Sequence, residues 1–205
     1  MTTAIELWGY HTGNCLRAAI ALEEAGIQYE TRLVNLPGLE HKDARFTELN
    51  PIGQVPVLVD KSGPRRLVLP QSNAIIFYAA QQRPGMLVPD TGTHAYYHVL
   101  ERFFYYLTDV ISVNHSGFLL GRHSGSASNS LYDHAIARIG ETERFLSEAN
   151  FVAGNEFSVA DIAAFTIIKA RERDIDWPTL PKTRAWFERV AARPSVQRGY
   201  AAFQR

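Results

Sequence analysis

The chain has 205 residues, of which 46% are hydrophobic, and its 21 basic and 21 acidic residues give a formal net charge of zero. This length suits one large domain or two small ones with a buried core. The charge balance lacks the electrostatic signature of nucleic-acid or anionic-membrane binding, and no stretch approaches the roughly 18 consecutive apolar residues that span a bilayer. We therefore expect neither nucleic acid nor a membrane as a partner.

The cysteine content and the first residues indicate a cytoplasmic protein. The single cysteine, Cys15, cannot form an internal disulfide, which is typical of a reducing compartment. The start of the chain, MTTAIE, has neither the basic region nor the apolar core of a secretory signal. His94 and His98 have the i, i+4 spacing of metal ligands, but no third ligand follows at a suitable spacing, so we expect no metal.

Residues 1–82 alternate between strand and helix patterns. Strand, helix and strand within about thirty residues indicate a parallel strand pair joined by a right-handed crossover. Gly26 follows the first helix pattern at the position typical of a glycine that ends a helix. The predicted strands are 5–8, 29–36, 55–59 and 67–69, and the predicted helices are 16–25 and 71–82.

Helix patterns dominate after residue 82. Residues 83–93 contain prolines and glycines without periodicity, which predicts a linker. Apolar residues form two stripes along 95–113, so one side of this helix is expected to face its own bundle and the other a cleft or a partner. A loop is predicted over 121–130, and further helices over 131–149, 159–173 and 183–192.

The fold class predicted from these patterns is α+β. An α/β domain over residues 1–82 is followed by a linker over 83–93 and an all-helical domain over 94–205. Each domain is small for independent stability, so the two are expected to pack on each other.

Residues 9–17, GYHTGNCLR, place a hydroxyl (Thr12), an amide (Asn14) and the only thiol (Cys15) just before a helix pattern. Each group is a candidate for chemistry at the positive end of a helix dipole. Thr12 and Asn14 are equally suitable as N-cap residues, and Cys15 is either a reactive thiol or a small buried apolar group. The residue types alone leave these alternatives open.

Pro56 stands near the start of an apolar strand pattern, where it cannot donate a ladder hydrogen bond. Two interpretations follow. It is either an ordinary trans proline at a strand edge, or it forms a sharp bend through a cis Val55–Pro56 bond. The cis bond would leave the backbone of Val55 available to a ligand.

Four short motifs together resemble the cytosolic glutathione transferases. They are NPIGQVPVL at 50–58, LPQSNAI at 69–75, FSVAD at 157–161 and RPSVQRG at 193–199, the last being similar to bacterial members. Ser158 and Asp161 within the third motif have the spacing of a helix capping box, which we interpret as purely structural. The resemblance covers nearly the whole chain and implies a thioredoxin-like first domain, an all-helical second domain, a homodimer and glutathione as cosubstrate.

The resemblance also implies how glutathione binds. The backbone of Val55, before a cis Pro56, pairs with the cysteinyl unit. Gln71 and Ser72 hold the γ-glutamyl group, and a helix that begins at these residues favours its carboxylate. Ser72 is alternatively a plain N-cap residue.

A basic residue in the loop before these motifs completes the implied glutathione site. In the family such a residue often meets the glycyl carboxylate, and His41 and Lys42 are the candidates here. The alternative is that both are solvated loop charges.

The resemblance separates the three candidates of the 9–17 loop. Thr12 corresponds to the serine of serine-type transferases, and the Thr-x-Asn pattern with Asn14 resembles bacterial transferases that reduce glutathionyl disulfides. The cysteine of the cysteine-type bacterial class would fall at Asn14. One residue further along a helix turns a side chain by about 100°, so Cys15 is expected to point away from the ligand and to be buried and inert.

The predicted function is that of a glutathione S-transferase. Free thiols have a pKa of about 8.5, so Thr12, with Asn14 as helper, is expected to stabilise glutathione as a thiolate for attack on a small electrophile. A glutathione-dependent disulfide-bond oxidoreductase is one alternative, because the same thiolate attacks disulfides. A non-catalytic transferase-like binding or stress protein is another, and an isomerase of the maleylacetoacetate type is a subsidiary option whose cysteine and arginine pattern is absent.

Overall fold

The computed structural model describes residues 3–121 and 125–204, which divide into two compact units. The first unit contains Met1–Pro84 together with Arg193–Arg205, and the second contains Gly85–Ala192. Within the described ranges, no helix combines the length and the apolar character needed to cross a bilayer. The predicted α+β fold class, with an α/β part and a helical part, is confirmed.

A mixed sheet of four strands lies in the described part of the first unit. The strands are β1 (Ile5–Gly9), β2 (Glu30–Leu33), β3 (Val57–Asp60) and β4 (Leu67–Leu69). Their order is β2-β1-β3-β4, with β1 parallel to β2 and the other two pairs antiparallel. The parallel β1–β2 pair is the crossover predicted from the sequence.

Helices cover both faces of this sheet. They are α1 (Gly13–Glu24), α2 (Ala44–Thr47), α3 (Ser72–Gln81) and α10 (Pro194–Ala201), with a short 3₁₀ helix over Glu40–Lys42. Helix α1 packs against α3 and α10. On the α2 side, Phe46 lies in a buried cluster with Val57 and Val59 of β3, and Trp8 packs against it.

The C-terminal helix α10 is held to α1 by polar and steric contacts. Arg193 binds the carboxylate of Glu24 through Nε at 2.6 Å and Nη2 at 2.9 Å, and Ser195 donates to the same carboxylate. A Cβ atom on Gly199 would lie 2.8 Å from the backbone nitrogen of Ile20, so only glycine permits this approach. Residues 193–205 therefore group with the α/β unit, whereas the sequence placed all of 94–205 in one helical domain.

The second unit is built from helices. Within its described residues these are α4 (His94–Tyr105), α5 (Ser112–Gly121), α6 (Gly125–Gly140), α7 (Thr142–Phe145), α8 (Val159–Ala170) and α9 (Pro181–Ala191). A π-helical segment, Tyr106–Ile111, joins α4 to α5 within the stretch predicted as one helix over 95–113. The buried Tyr106 in this segment forms a hydroxyl–hydroxyl hydrogen bond with Thr142 at 2.7 Å.

The prediction of a loop over 121–130 is wrong from residue 125 onward, because α6 begins at Gly125. Residues 122–124 of that prediction lie outside the described ranges. Serine and glycine favour loops when only local preference acts. Here the buried Ser128 donates to the carbonyl of Gly117 at 2.9 Å, and this contact with α5 outweighs the local preference.

Asp161, which is fully buried, joins three segments of the second unit. The capping box predicted for Ser158 and Asp161 is confirmed, with Asp161 accepting from the Ser158 backbone at 2.9 Å. The carboxylate also accepts from the Val152 backbone at 3.0 Å and from Trp186 Nε1 at 2.9 Å. Burial raises the pKa of Asp161 to about 6, while these donors act in the opposite direction.

Candidate functional site

Thr12 is the N-cap residue of α1. Its backbone is extended, with φ −131° and ψ 153°, and its Oγ1 accepts a hydrogen bond from the Cys15 backbone at 3.3 Å. The capping alternative considered for Thr12 is therefore present in the structure. A hydroxyl that accepts one hydrogen bond still has a proton to donate. In the structure the Thr12 hydroxyl also bonds the side chain of Cys15, so donation to an anion at the helix N-terminus requires this hydroxyl to rotate away from Cys15.

Cys15 is buried, as predicted. Its side chain has 0% exposure, and its Sγ accepts from the Tyr10 backbone at 3.4 Å. Burial raises the pKa of the Cys15 thiol to about 11. A thiol that stays protonated and covered at neutral pH is a weak nucleophile, so this environment favours the buried, inert alternative for Cys15 over the reactive one.

Asn14 binds a residue that the sequence reasoning missed. Its Oδ1 accepts a hydrogen bond from Arg17 Nη1 at 3.1 Å. Arg17 lies in α1 and is only 2% exposed, and the same Nη1 also donates to Ser72 Oγ at 3.3 Å and to Asn73 Oδ1 at 3.4 Å. The available signal was the single charge of Arg17 within the otherwise apolar stretch CLRAAIAL.

The N-terminus of α3 carries the second group of predicted residues. Gln71, which is exposed, is the N-cap residue, and its Oε1 accepts from the backbones of Asn73 at 2.6 Å and Ala74 at 3.3 Å. The alternative of Ser72 as N-cap is wrong, because Ser72 is the first helical residue. The Ser72 side chain is 5% exposed and binds Arg17, so Arg17 links the N-terminal turns of α1 and α3.

The Val55–Pro56 peptide bond is cis, as the second interpretation of Pro56 predicted. Pro56 directly precedes β3, which begins at Val57, so it removes no ladder hydrogen bond. Within the described part of the chain, neither the N–H nor the C=O of Val55 has a backbone partner. The side chain of Asn50 donates to the Gln54 carbonyl at 2.7 Å and braces the preceding loop.

His41 and Lys42 lie in the 3₁₀ helix Glu40–Lys42, next to the loop that leads to Val55. Gly53 in that loop has a φ of +67°, and a Cβ atom there would lie 2.8 Å from the His41 carbonyl oxygen and 3.1 Å from Lys42 Nζ. Lys42 is exposed, whereas His41 Nδ1 is buried and has no hydrogen-bond partner among the described residues. The His41 backbone and the Lys42 side chain are thus close to Gly53 in the 50–56 loop.

In the described part of the first unit, positive electrostatic potential is therefore expected at the N-termini of α1 and α3. The α1 and α3 dipoles favour anions at their starts, and Arg17 adds a formal charge between them. Burial lowers the pKa of Arg17 to about 10, which leaves the guanidinium charged at neutral pH. Groups of three or more potential metal ligands are absent from the ranges that the structure describes.

Comparison with known families agrees with this geometry. The model of the glutathione S-transferase N-terminal domain matches residues 3–81, and that of the C-terminal domain matches residues 137–194. Glutathione S-transferase 3 of Zea mays is 31% identical over 206 residues, covering 92% of this chain and 89% of the relative. The disulfide-bond oxidoreductase YfcG of Escherichia coli is 29% identical, covering 94% of this chain and 92% of the relative.

A solved structure shares both the sequence pattern and the fold. The glutathione transferase homologue of Lodderomyces elongisporus, solved with two glutathione molecules per subunit, has a TM-score of 0.83 and 26% identity, covering 96% of this chain and 97% of that one. These matches extend over both units of the fold. The chain belongs to the glutathione S-transferase family.

Proposed function

We propose that this chain is a glutathione S-transferase that binds glutathione along the first unit and holds its sulfur at the N-terminus of α1. The observation that carries the proposal is Thr12, whose hydroxyl stands at the N-cap of α1 beside the amide of Asn14. A helix N-terminus with a hydroxyl donor is an arrangement that stabilises a thiolate.

The proposed glutathione pose uses the predicted contacts. The cysteinyl unit pairs with the backbone of Val55, which has no backbone partner among the described residues. The γ-glutamyl carboxylate lies at the start of α3, near the Ser72 hydroxyl. The glycyl carboxylate is met by Lys42 or His41, beside the loop of Gly53.

The chemistry follows from ionisation of the bound thiol. Lowering its pKa by roughly two units from about 8.5 makes most of it thiolate at neutral pH. The thiol proton leaves to solvent, the sulfur forms a bond to an electrophilic carbon of the second substrate, and the leaving group departs with its electron pair. Thr12 donates to the sulfur in this scheme, and Asn14 assists.

Disulfide reduction is the second candidate function, because the Thr-x-Asn pattern and the resemblance to YfcG favour it. The thiolate of glutathione attacks the glutathione sulfur of a mixed disulfide, which forms glutathione disulfide and releases the other thiolate. No protein thiol is needed for this step, in agreement with the buried Cys15.

The same proposal has four further parts. It assigns the chain to a bacterial class with a Thr-x-Asn loop and to the cytoplasm, and it includes a role in detoxification and a homodimeric state. Exposed aromatic side chains on the helical unit support the dimer, with Phe104 49% and Phe118 55% exposed. Burial of such side chains on association is favourable. Light scattering during size-exclusion chromatography tests the state directly, and a monomer would contradict it.

Two assays test the activity. The purified chain is expected to be retained on immobilised glutathione and to turn over either a chloronitrobenzene or hydroxyethyl disulfide. The ratio of these two rates distinguishes conjugation from reduction. A chain that neither binds glutathione nor turns over either substrate would instead be a transferase-like binding or stress protein.

Substitution of Thr12 tests the site. Thr12→Ala is expected to lower kcat/KM about a hundredfold, the typical effect of losing one preorganised donor, whereas Thr12→Ser and Cys15→Ala retain activity. Thr93→Ala is the matched control, because Thr93 caps α4 with the same geometry and accepts from the Tyr96 backbone at 3.1 Å. Equal losses in Thr12→Ala and Thr93→Ala, or a large loss in Cys15→Ala, would contradict the assignment.

A further inference from the structure

The buried guanidinium of Arg17 lies between the two helix starts that form the proposed glutathione site. It is 2% exposed, and its Nη1 donates to Asn14 Oδ1 at 3.1 Å and to Ser72 Oγ at 3.3 Å. Asn14 and Ser72 belong to different helices, so one nitrogen contacts both the thiol end and the γ-glutamyl end of the site. This inference rests on the proposed function.

Arginine constrains the polarity of its partners. A guanidinium has only donors and no acceptor, so each partner must turn an oxygen lone pair toward it. When Oδ1 of Asn14 is held in this way, the amide NH₂ group at the opposite end of the side chain is left to donate elsewhere. When Oγ of Ser72 accepts from Arg17, its own proton is likewise directed to another group.

Glutathione in the proposed pose presents an anion at each of these places. The thiolate lies at the start of α1 and the γ-glutamyl carboxylate at the start of α3, and both need donors. Arg17 also adds a buried positive charge near both anions, where the low dielectric makes the attraction stronger than in water.

We propose that Arg17 is a positioning residue that couples the two ends of the site, by orienting Asn14 and Ser72 as donors and by favouring the ionised forms of the thiol and the γ-glutamyl group. It touches neither reacting atom in this scheme and acts through Asn14, Ser72 and its charge. The hydrogen bond to Asn73 Oδ1 at 3.4 Å helps to fix the guanidinium in place.

The test is the pKa of the bound glutathione thiol, measured by the ultraviolet absorbance of the thiolate as the pH is raised. Arg17→Met is expected to raise this pKa by about one unit, the lower end of the effect of a nearby opposite charge. A shift from about 6.5 to about 7.5 lowers the ionised fraction, and with it kcat/KM, about threefold at pH 7. The loss is expected to disappear at alkaline pH, where the thiol ionises without help. Arg17→Lys restores the charge and is expected to restore much of the shift.

Arg83→Met is the matched control. Arg83 is an exposed arginine that follows α3, and its Nε donates to the Ala25 carbonyl at 3.0 Å, at the C-terminal end of α1. Its replacement removes the same chemical group at the end of α1 away from the proposed site, and the pKa of the bound thiol is expected to stay unchanged.

A second variant keeps the test informative if Arg17→Met does not fold. Asn14→Asp retains an acceptor for Arg17, loses the amide donor and adds a negative charge beside the thiol. It is therefore expected to fold and to raise the pKa of the bound thiol by more than one unit. An unchanged thiol pKa in Arg17→Met or in Asn14→Asp, or a loss in Arg17→Met that alkaline pH does not repair, would overturn the inference. Failure of the wild-type chain to bind or ionise glutathione would instead overturn the proposed function.

Discussion

Replacing Asp161 by alanine is expected to destabilise the helical unit, because one buried carboxylate satisfies donors from three segments. It accepts from the backbones of Val152 and Ser158 and from Trp186 Nε1, at 2.9–3.0 Å. A buried donor without a partner costs about 1–3 kcal/mol. The Ser158 hydroxyl also donates to this carboxylate, at 3.0 Å, so four donors lose their acceptor. With partial relaxation the loss in the free energy of unfolding is about 3–5 kcal/mol.

Urea and thermal unfolding of the full chain measure this loss. For a chain of 205 residues, each 1 kcal/mol lowers the Tm by about 2–4 °C, so Asp161→Ala is expected to unfold roughly 10 °C below the wild type. Trp186 is buried against Asp161, so its fluorescence reports on the affected region.

Asp174→Ala is the control for the loss of a carboxylate. The Asp174 side chain is 52% exposed and pairs with Arg171 at 3.3 Å, and exposed pairs contribute less than about 1 kcal/mol. If Asp161→Ala lost no more stability than Asp174→Ala, the assignment of Asp161 as the shared buried acceptor would be refuted. Trp186→Phe removes one of the donors and is expected to lie between the two.

Two further predictions concern the first unit and the thiol. Gly199→Ala is expected to lower stability by about 1–3 kcal/mol in urea unfolding, because its Cβ would lie 2.8 Å from the Ile20 nitrogen. Gly140→Ala is the control, because its Cβ would meet nothing within 4 Å, and it is expected to be neutral or stabilising. Similar losses of stability in Gly199→Ala and Gly140→Ala would contradict close packing of α10 on α1. Cys15, whose pKa burial raises to about 11, is expected to react with an aromatic disulfide reagent about a hundredfold more slowly in the native chain than in urea. Stoichiometric labelling of the native chain at the rate of a free thiol would refute its burial.

Local patterns in the sequence predicted the features that depend on neighbouring residues. The capping box of Ser158 and Asp161 and the left-handed Gly26, with a φ of +66°, are both present. Each is set by backbone geometry within one or two turns, where residue type acts directly. The burial of Cys15 was predicted only with the help of the family resemblance, which places the reactive position at residue 14, so that one further residue along a helix turns the Cys15 side chain away.

Local preference was less informative at the start of α3. Gln71 is the N-cap residue of α3, although serine is the better capping residue by type. Ser72 instead lies inside the helix, where its hydroxyl contacts Arg17 from α1. A side chain already engaged by a distant residue is not available to cap its own helix.

The sequence by itself determined the four strands and the two main helices of residues 1–82, the special positions of Pro56 and Gly26, and the family resemblance, because these depend on residue types at short spacing. Only the tertiary structure decided that Arg17 reaches Ser72, a residue 55 positions away, and that Arg193 reaches Glu24, 169 positions away. Such contacts depend on which surfaces the folded chain brings together. The energy of these contacts depends on burial, because a buried charge or hydrogen-bonding group without a partner is costly. Burial is a property of the whole fold and not of any short segment.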